Sequence, residues 1–328
     1  MSEQARSTER GLEASNPVRL LVVGGIGRSG STLLDRLLGQ LPGHVSVGEM
    51  GVRLWDRCIA HDWPCGCGRP FSSCPFWSAV GERAFNGWDN VDLAEVIKSQ
   101  RAVNQTQKVP KLLVPSAVPG FRETLDRYLD YLTRVYEAIR DVSGARVIVD
   151  SSKAPSLPYM LRRADRLDVT IAHVIRDPRG VAYSWTKKKS HRMEQTGDRE
   201  PAFIATIRPR KVARRWMTIN LLVTALPSLG VPVIRLRYED VISRPADELA
   251  RVARSLGEDV DPADLSFVDG TNVQLRESHT ASGNPNRFDA GWVPLRLDDA
   301  WRSALPARDR RTVELITAPL RTVYGYRD

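Results

Sequence analysis

The chain has 328 residues, enough to bury a full core, and a formal net charge of +9 at pH 7, which suits an anionic ligand although an Arg-rich composition alone gives the same sign. No stretch of about 18 uninterrupted apolar residues exists, so no membrane-spanning helix is expected. The opening MSEQARSTERGLEASNP has no apolar segment. It therefore reads as a disordered tail over 1–17 rather than a secretory signal, ahead of one domain over 18–328, with a cytoplasmic setting as the default.

The first informative stretch is RLLVVGGIGRSGSTLLDRLL, Arg19 to Leu38. An apolar run (Leu20 to Val23) predicts a strand, Gly24, Gly25, Gly27 and Gly30 a tight loop, and Ser31 onward a helix with Leu33, Leu34, Leu37 and Leu38 on one face. Such a loop converges backbone N–H groups at a helix N-terminus and makes an anion site of the phosphate-cradling type. The nucleoside-triphosphatase pattern GxxxxGK[ST] is nearly met by Gly25 and Gly30, but Ser31 stands where the lysine belongs and the cation is Arg28. Without that lysine, a nucleotide or small-molecule kinase is the runner-up reading. A non-catalytic nucleotide-binding protein is the other alternative.

A strand ending at Gly48-Glu49-Met50 follows. Residues Cys58 to Trp77 hold all four cysteines, Cys58, Cys65, Cys67 and Cys74. The CxC spacing is not the usual CxxC of zinc sites. Buried structural thiols are the favoured reading, with a disulfide, or a zinc knuckle using His61 or Cys58, as alternatives; no residue is assigned as a metal ligand. Helices are expected over Pro75 to Ala84, Val91 to Val103 and Phe121 to Val142, the last from nine apolar or aromatic positions at helical spacing. Gly144 ends it.

A strand over Ala145 to Val149 delivers Asp150-Ser151-Ser152-Lys153, and one over Val169 to Ile175 delivers Arg176-Asp177-Pro178. Asp177 is a natural cap, with Pro178 in the first turn of a helix carrying Ser184. From Ser184 to Trp216 ten Lys or Arg face only Glu194, Asp198 and Glu200. That run is either a solvated face or the lip of an acceptor site. Aromatic residues do not interleave with it as stacking platforms would, so nucleic acid is not an expected partner. Further elements are a helix over Lys211 to Leu226, a strand over Val231 to Leu236 ending in Arg237-Tyr238-Glu239-Asp240, a helix over Ala246 to Leu256, a polar loop HTASGNPNRFDAGW (His279 to Trp292) and a closing helix over Ala307 to Tyr324. Strands alternating with helices predict a P-loop-type α/β fold, a mainly parallel sheet with helices on both faces. Nothing in the sequence fixes an oligomeric state.

Two motifs carry a resemblance. GRSGSTLL (Gly27 to Leu34) resembles the 5′-phosphosulfate loop, and VIRDPRGVAYSW (Val174 to Trp185) the 3′-phosphate motif, of sulfotransferases that use 3′-phosphoadenosine 5′-phosphosulfate (PAPS), carbohydrate and tyrosylprotein sulfotransferases among them. The resemblance implies that the backbone of Ser29, Gly30, Ser31 and Thr32, with the Ser31 and Thr32 hydroxyls, holds the 5′-phosphate. It further implies that Arg176 and Ser184 hold the 3′-phosphate, with Tyr238 beside the adenine and Arg287 as a second 3′-phosphate cation. Glu49 is then the general base. Lys153 and Arg28 stabilise charge on the moving sulfuryl group, and adenosine 3′,5′-bisphosphate is the product. Fixed cations would do the neutralising, so no metal is required. His279 and Ser282 are loosely placed near the reacting group. The acceptor is expected to be a hydroxyl on a carbohydrate or glycosylated small metabolite.

Overall fold

Alternation along the first apolar run decides the layout. In the computed structural model, which describes residues 16–327 apart from 188, 191–202 and 205, strand β1 (Val18–Gly24) is the central strand of a five-stranded sheet. Successive strand residues point to opposite faces. Leu20 and Val22 accordingly enter one buried cluster, and Leu21 and Val23 another. With both faces covered, β1 reads as a continuous apolar run, as strands of a buried parallel sheet do.

Strands β2 (His44–Gly48), β3 (Val147–Asp150), β4 (Leu167–Ile175) and β5 (Val233–Arg237) complete the sheet in the order β2-β3-β1-β4-β5, every pair parallel. Helix α1 (Ser31–Leu38) closes one face. Helices α2 (Pro75–Phe85), α3 (Leu93–Val103) and α4 (Phe121–Ser143) close the other, around the buried Trp55 and Trp77. The predicted period in α4 is its buried stripe, and Gly144 ends it in the left-handed conformation. A third cluster joins α5 (Pro178–Thr186), α6 (Pro209–Thr224) and α8 (Ala307–Val323), while α7 (Pro245–Ser255) packs beside β5. This is the expected P-loop-type α/β arrangement. No helix among the described residues is long and apolar enough to cross a membrane.

The polar stretch 279–292 was expected as a loop throughout. Instead it turns at Pro285–Phe288 and ends in a strand, β8 (Gly291–Pro294), of a small antiparallel sheet with β6 (Val268–Asp269) and β7 (Asn272–Leu275). Strands of two to four residues containing Asn, Gly and Pro carry too little alternation to be recognised. The tail, apart from Asn16 and Pro17, and much of the basic run lie outside the described residues.

Because every strand of the main sheet is parallel, their C-terminal ends share one edge, and the strand order reverses beside β1. That edge is where open α/β sheets bind ligands. The loop leaving β1 there is tightly held. Gly25 (φ +135°) has its α-carbon facing the Val174 carbonyl with no room for a Cβ, and at Gly30 (φ +90°) a Cβ would lie 2.5 Å from the Tyr238 ring. Gly25→Ala is expected to destabilise the fold by at least about 1–3 kcal/mol, the scale of one strained residue. A urea midpoint identical to that of the unsubstituted chain would show that the loop relaxes freely.

Candidate active site

The loop between β1 and α1 leaves the first-turn N–H groups of α1 without intrahelical partners, as at every helix start. The Ser31 hydroxyl is buried there with no hydrogen-bond partner, and Thr32 Oγ1 accepts from the Asn284 amide at 3.2 Å. These are the properties of a cradle for an anion: free donors, a helix dipole and one orphaned hydroxyl. Ser29 is different. Its hydroxyl (2.6 Å) and its N–H (3.3 Å) both turn back to the Ile26 carbonyl, so it shapes the loop rather than facing a ligand. Arg28 sits in the left-handed region at φ +76°. Its guanidinium donates to Asn284 Oδ1 at 2.9 Å and lies 5.3 Å from the Trp185 ring.

One cleft of about 570 Å³ is lined by Arg28, Gly30, Arg176, Ser184 and Tyr238, together with Asn284 and Asp298. The structure thus gathers Arg28, Arg176 and Ser184, three side chains read from two motifs some 150 residues apart in sequence, together with Tyr238. Arg176, at the end of β4, donates to the Arg28 carbonyl at 3.1 Å and stacks over Tyr238 at 4.5 Å. The Asp298 carboxylate pairs with it at 3.2 Å and with Lys187 at 3.6 Å. Asp177 caps α5 as expected, accepting from the Arg179 N–H at 2.8 Å.

At the neighbouring strand ends, Lys153 Nζ donates to Glu49 Oε1 at 2.5 Å. Burial alone would raise the Glu49 carboxyl, but the Lys153 ammonium, helped by Arg53 and Arg287, outweighs it and holds the group below the ordinary carboxylate range. Asp150, ending β3, accepts from the N–H groups of Gly51 (2.9 Å) and Ser152 (2.6 Å) and from the Tyr136 hydroxyl (2.8 Å). It therefore fixes the backbones that present Glu49 and Lys153. Behind them Asp35 is fully buried, and burial pushes its pKa up to about 8 against the opposing Ser46 hydrogen bond. At neutral pH it is mostly protonated and adds little negative charge beside Glu49.

Lys153 also lines a second cleft of about 530 Å³, with Trp185, Thr106 and Gln107 and with Lys211, Arg214 and Arg215 of α6. The described end of the basic run therefore faces a cavity, and none of these three cations pairs with a carboxylate among the described residues.

Other expectations are not met. Arg287 does not reach the first cleft; it is buried and donates to the carbonyls of Thr280 (2.8 Å) and Pro64 (2.6 Å). The His279 ring lies against the sulfurs of Cys65 and Cys74 instead. Cys58 and His61 stand apart from that cluster, Cys58 donating to the Ala281 carbonyl at 3.0 Å. Asn284, Asp298 and the clamp role of Asp150 were missed. Asp150 and Asn284 lay inside stretches marked as polar, but their partners are on other elements.

Residues 21–262 match the Sulfotransferase family. No curated protein sequence matches significantly. Among solved structures, the sulfotransferase domain from the curacin biosynthetic pathway superposes with a TM-score of 0.50 at 17% identity, covering 93% of this chain and 97% of that one. The sulfotransferase domain of the Synechococcus PCC 7002 olefin synthase gives 0.48 at 22% identity, over 94% and 96%. At such identity the curacin-pathway likeness speaks to the fold alone.

The Glu49–Lys153 pair makes a prediction that needs no substrate. With Lys153 present, Glu49 keeps its charge down to below its ordinary value of 4.5. In Lys153→Met the desolvation cost loses its main opposition, so the Glu49 carboxyl should titrate above that value. A ¹³C NMR titration of the Glu49 carboxyl reads this directly; no upward movement would mean that Lys153 does not set its charge.

Proposed function

This chain belongs to the sulfotransferase family, and on that premise we propose that it moves the sulfuryl group of PAPS to a hydroxyl of a carbohydrate or glycosylated small metabolite, with Glu49 as general base. The observation that carries the reading is the Glu49–Lys153 pair at the sheet edge. Lys153 lies in the wall of one cleft and Arg28 in the wall of the other, and Glu49 is in electrostatic reach of both.

The residues present fit the donor. The α1 N–H groups and the orphaned Ser31 hydroxyl would hold its 5′-phosphate, and Arg176 with Ser184 its 3′-phosphate. A guanidinium fork and a hydroxyl suit a phosphate monoester that ATP lacks. Tyr238, stacked on Arg176, offers an aromatic face to the adenine. PAPS supplies the activated sulfuryl group.

Glu49 takes the proton of the acceptor hydroxyl as that oxygen attacks. Lys153 is bonded to Oε1 alone; as the carboxylate is neutralised its hold on the ammonium weakens, and Lys153 meets the negative charge developing on the transferred group while Arg28 meets it from the loop side. The protein's contribution is positioning and fixed positive charge, and these cations do the neutralising that a metal ion performs in phosphoryl transfer. The acceptor enters through the second cleft, whose Thr106, Gln107 and Trp185 suit a polar, ring-shaped molecule. Lys211, Arg214 and Arg215 favour one that already carries a carboxylate, phosphate or sulfate. A cytoplasmic setting is part of this reading, supported by four cysteines none of which is disulfide-bonded.

The test is transfer of labelled sulfate from PAPS into a metabolite extract, followed by mass spectrometry of whatever gains the label. Glu49→Gln should bind adenosine 3′,5′-bisphosphate normally yet lose turnover by about 10²-fold or more; full activity would remove Glu49 from the mechanism. For Arg176→Ala, calorimetry should show adenosine 3′,5′-bisphosphate weakened by roughly 10-fold or more, and adenosine 5′-phosphate far less. Equal losses would place 3′-phosphate recognition elsewhere.

A further inference from the structure

Away from both clefts, three sulfurs and one imidazole nitrogen meet at a point that the transfer chemistry does not use. Cys65, Cys67 and Cys74 come from one loop and the start of α2. His279 arrives from more than 200 residues later. Their ligand atoms all lie within 4.8 Å of one another. Cys67 Sγ is 3.8 Å from Cys74 Sγ, which is 3.6 Å from Cys65 Sγ; His279 Nδ1 is 3.7 Å from Cys65 Sγ and 3.3 Å from Cys74 Sγ.

These four separations are close to edges of a zinc-sized tetrahedron, and the remaining two are no longer than 4.8 Å. A zinc ion with bonds of about 2.3 Å to sulfur and about 2.05 Å to nitrogen sets its ligands about 3.8 Å (sulfur to sulfur) and about 3.6 Å (sulfur to nitrogen) apart. A disulfide would use two of the three sulfurs and would give the imidazole no role. Packed structural thiols would not require a ring nitrogen turned toward two of them.

The surroundings hold the four groups in this arrangement. The His279 ring stacks on Phe76 at 5.0 Å and 12°, and the His279 carbonyl accepts from Trp77 Nε1 at 2.9 Å. Cys65 is fixed in a closed turn, its N–H donating to the Arg69 carbonyl (2.8 Å) and its carbonyl accepting from Gly68 (2.9 Å). Gly66 bonds the Thr280 carbonyl at 2.9 Å, and a Cβ at this position would strike the Thr280 side chain. The two strips of chain thus already meet by backbone contact beside the cluster. Cys65 and Cys74 are buried, whereas Cys67 and His279 are partly exposed, which leaves a path by which an ion can enter.

We propose that Cys65, Cys67, Cys74 and His279 form a structural zinc site that ties the 65–74 loop to the strip 279–282. A ligand set of three thiolates and one imidazole, closed at four, belongs to structural rather than catalytic zinc, which keeps a position open. Binding replaces the thiol protons, which leave to solvent. The strip it anchors is also bonded to the site: the Ala281 N–H donates to the Val47 carbonyl at 2.9 Å, and the Glu49 N–H to the Ser282 carbonyl at 3.2 Å. The ion therefore fixes the backbone of Glu49 from outside the reaction.

The experiment uses the full-length chain without a polyhistidine tag, purified under reducing conditions. Elemental analysis should give about one zinc per chain for a single closed site. Cobalt(II) added to the zinc-depleted protein should give the visible bands of a tetrahedral ion with strong thiolate charge transfer. Cys67→Ser and His279→Ala should each alter or abolish that spectrum, whereas Cys58→Ser should leave it unchanged. Chelation should speed amide hydrogen exchange at 65–74 and 279–282 and restoring zinc should reverse it, a readout independent of any acceptor. The proposal is overturned by any of three results: folded, reduced protein with neither bound zinc nor a cobalt spectrum; a disulfide among the three cysteines; or a spectrum indifferent to His279→Ala.

Discussion

One buried carboxyl sets the spacing on which the site depends. Asp150 ends β3 inside the sheet edge and takes three donors at once: the Gly51 N–H, the Ser152 N–H and the Tyr136 hydroxyl. The first is two residues from Glu49, the second adjoins Lys153, and the third reaches from α4 in the helical layer. Burial raises the Asp150 pKa while the Ser152, Tyr136 and Gly51 bonds oppose it. Hydrogen bonds to a charged group are worth about 1.5–3 kcal/mol each, so this arrangement resists loosening. Glu49 and Lys153 are thereby presented to each other by two strand ends that a single side chain holds in register.

The strip from 279 to 287 supplies the second constraint. It runs past the end of β2, bonding Val47 and Glu49 through its backbone, and then passes Asn284 across to Arg28 and Thr32. Arg287, behind it, holds Thr280 and Pro64 together. Glu49, the loop arginine and the first turn of α1 are thus braced by one segment. Its irregular backbone is tolerable because its polar groups are spent on those neighbours rather than left buried and unpaired.

What was legible in the sequence was local. The alternation in Leu20 to Val23, the Asp177-Pro178 cap and the apolar stripe of α4 each follow from spacings within one element, and each element is found within a few residues of its expected bounds. Arg28, Arg176 and Tyr238 share a cleft because each follows a strand end, where a parallel sheet brings them to one edge; Ser184 reaches it from α5. Arg287, His279 and Ser29 went astray for a different reason. Ser29 stands in a run of expected backbone donors, yet its N–H, like its hydroxyl, closes its own turn on the Ile26 carbonyl. His279 and Arg287 take partners more than 200 residues away, and no periodicity records such a pairing. Three cysteines spaced without a fourth ligand were the only hint that a distant residue was needed. His279 is the one histidine of five that follows residue 200.

Arg176 and Lys187 already share the carboxylate of Asp298, which their positive charges hold below its ordinary pKa. A 3′-phosphate brought to Arg176 carries more negative charge than that carboxylate and repels it. The two anions cannot both keep the same donors, so on the proposed reading the donor displaces Asp298 from the guanidinium. A ligand without the 3′-phosphate has nothing to offer in exchange and leaves the Arg176–Asp298 pair intact. Displacing the carboxylate offsets part of what the monoester's bonds to Arg176 contribute, so discrimination is the difference of two opposed terms, while Asp298 keeps anions too weak to dislodge it off the guanidinium.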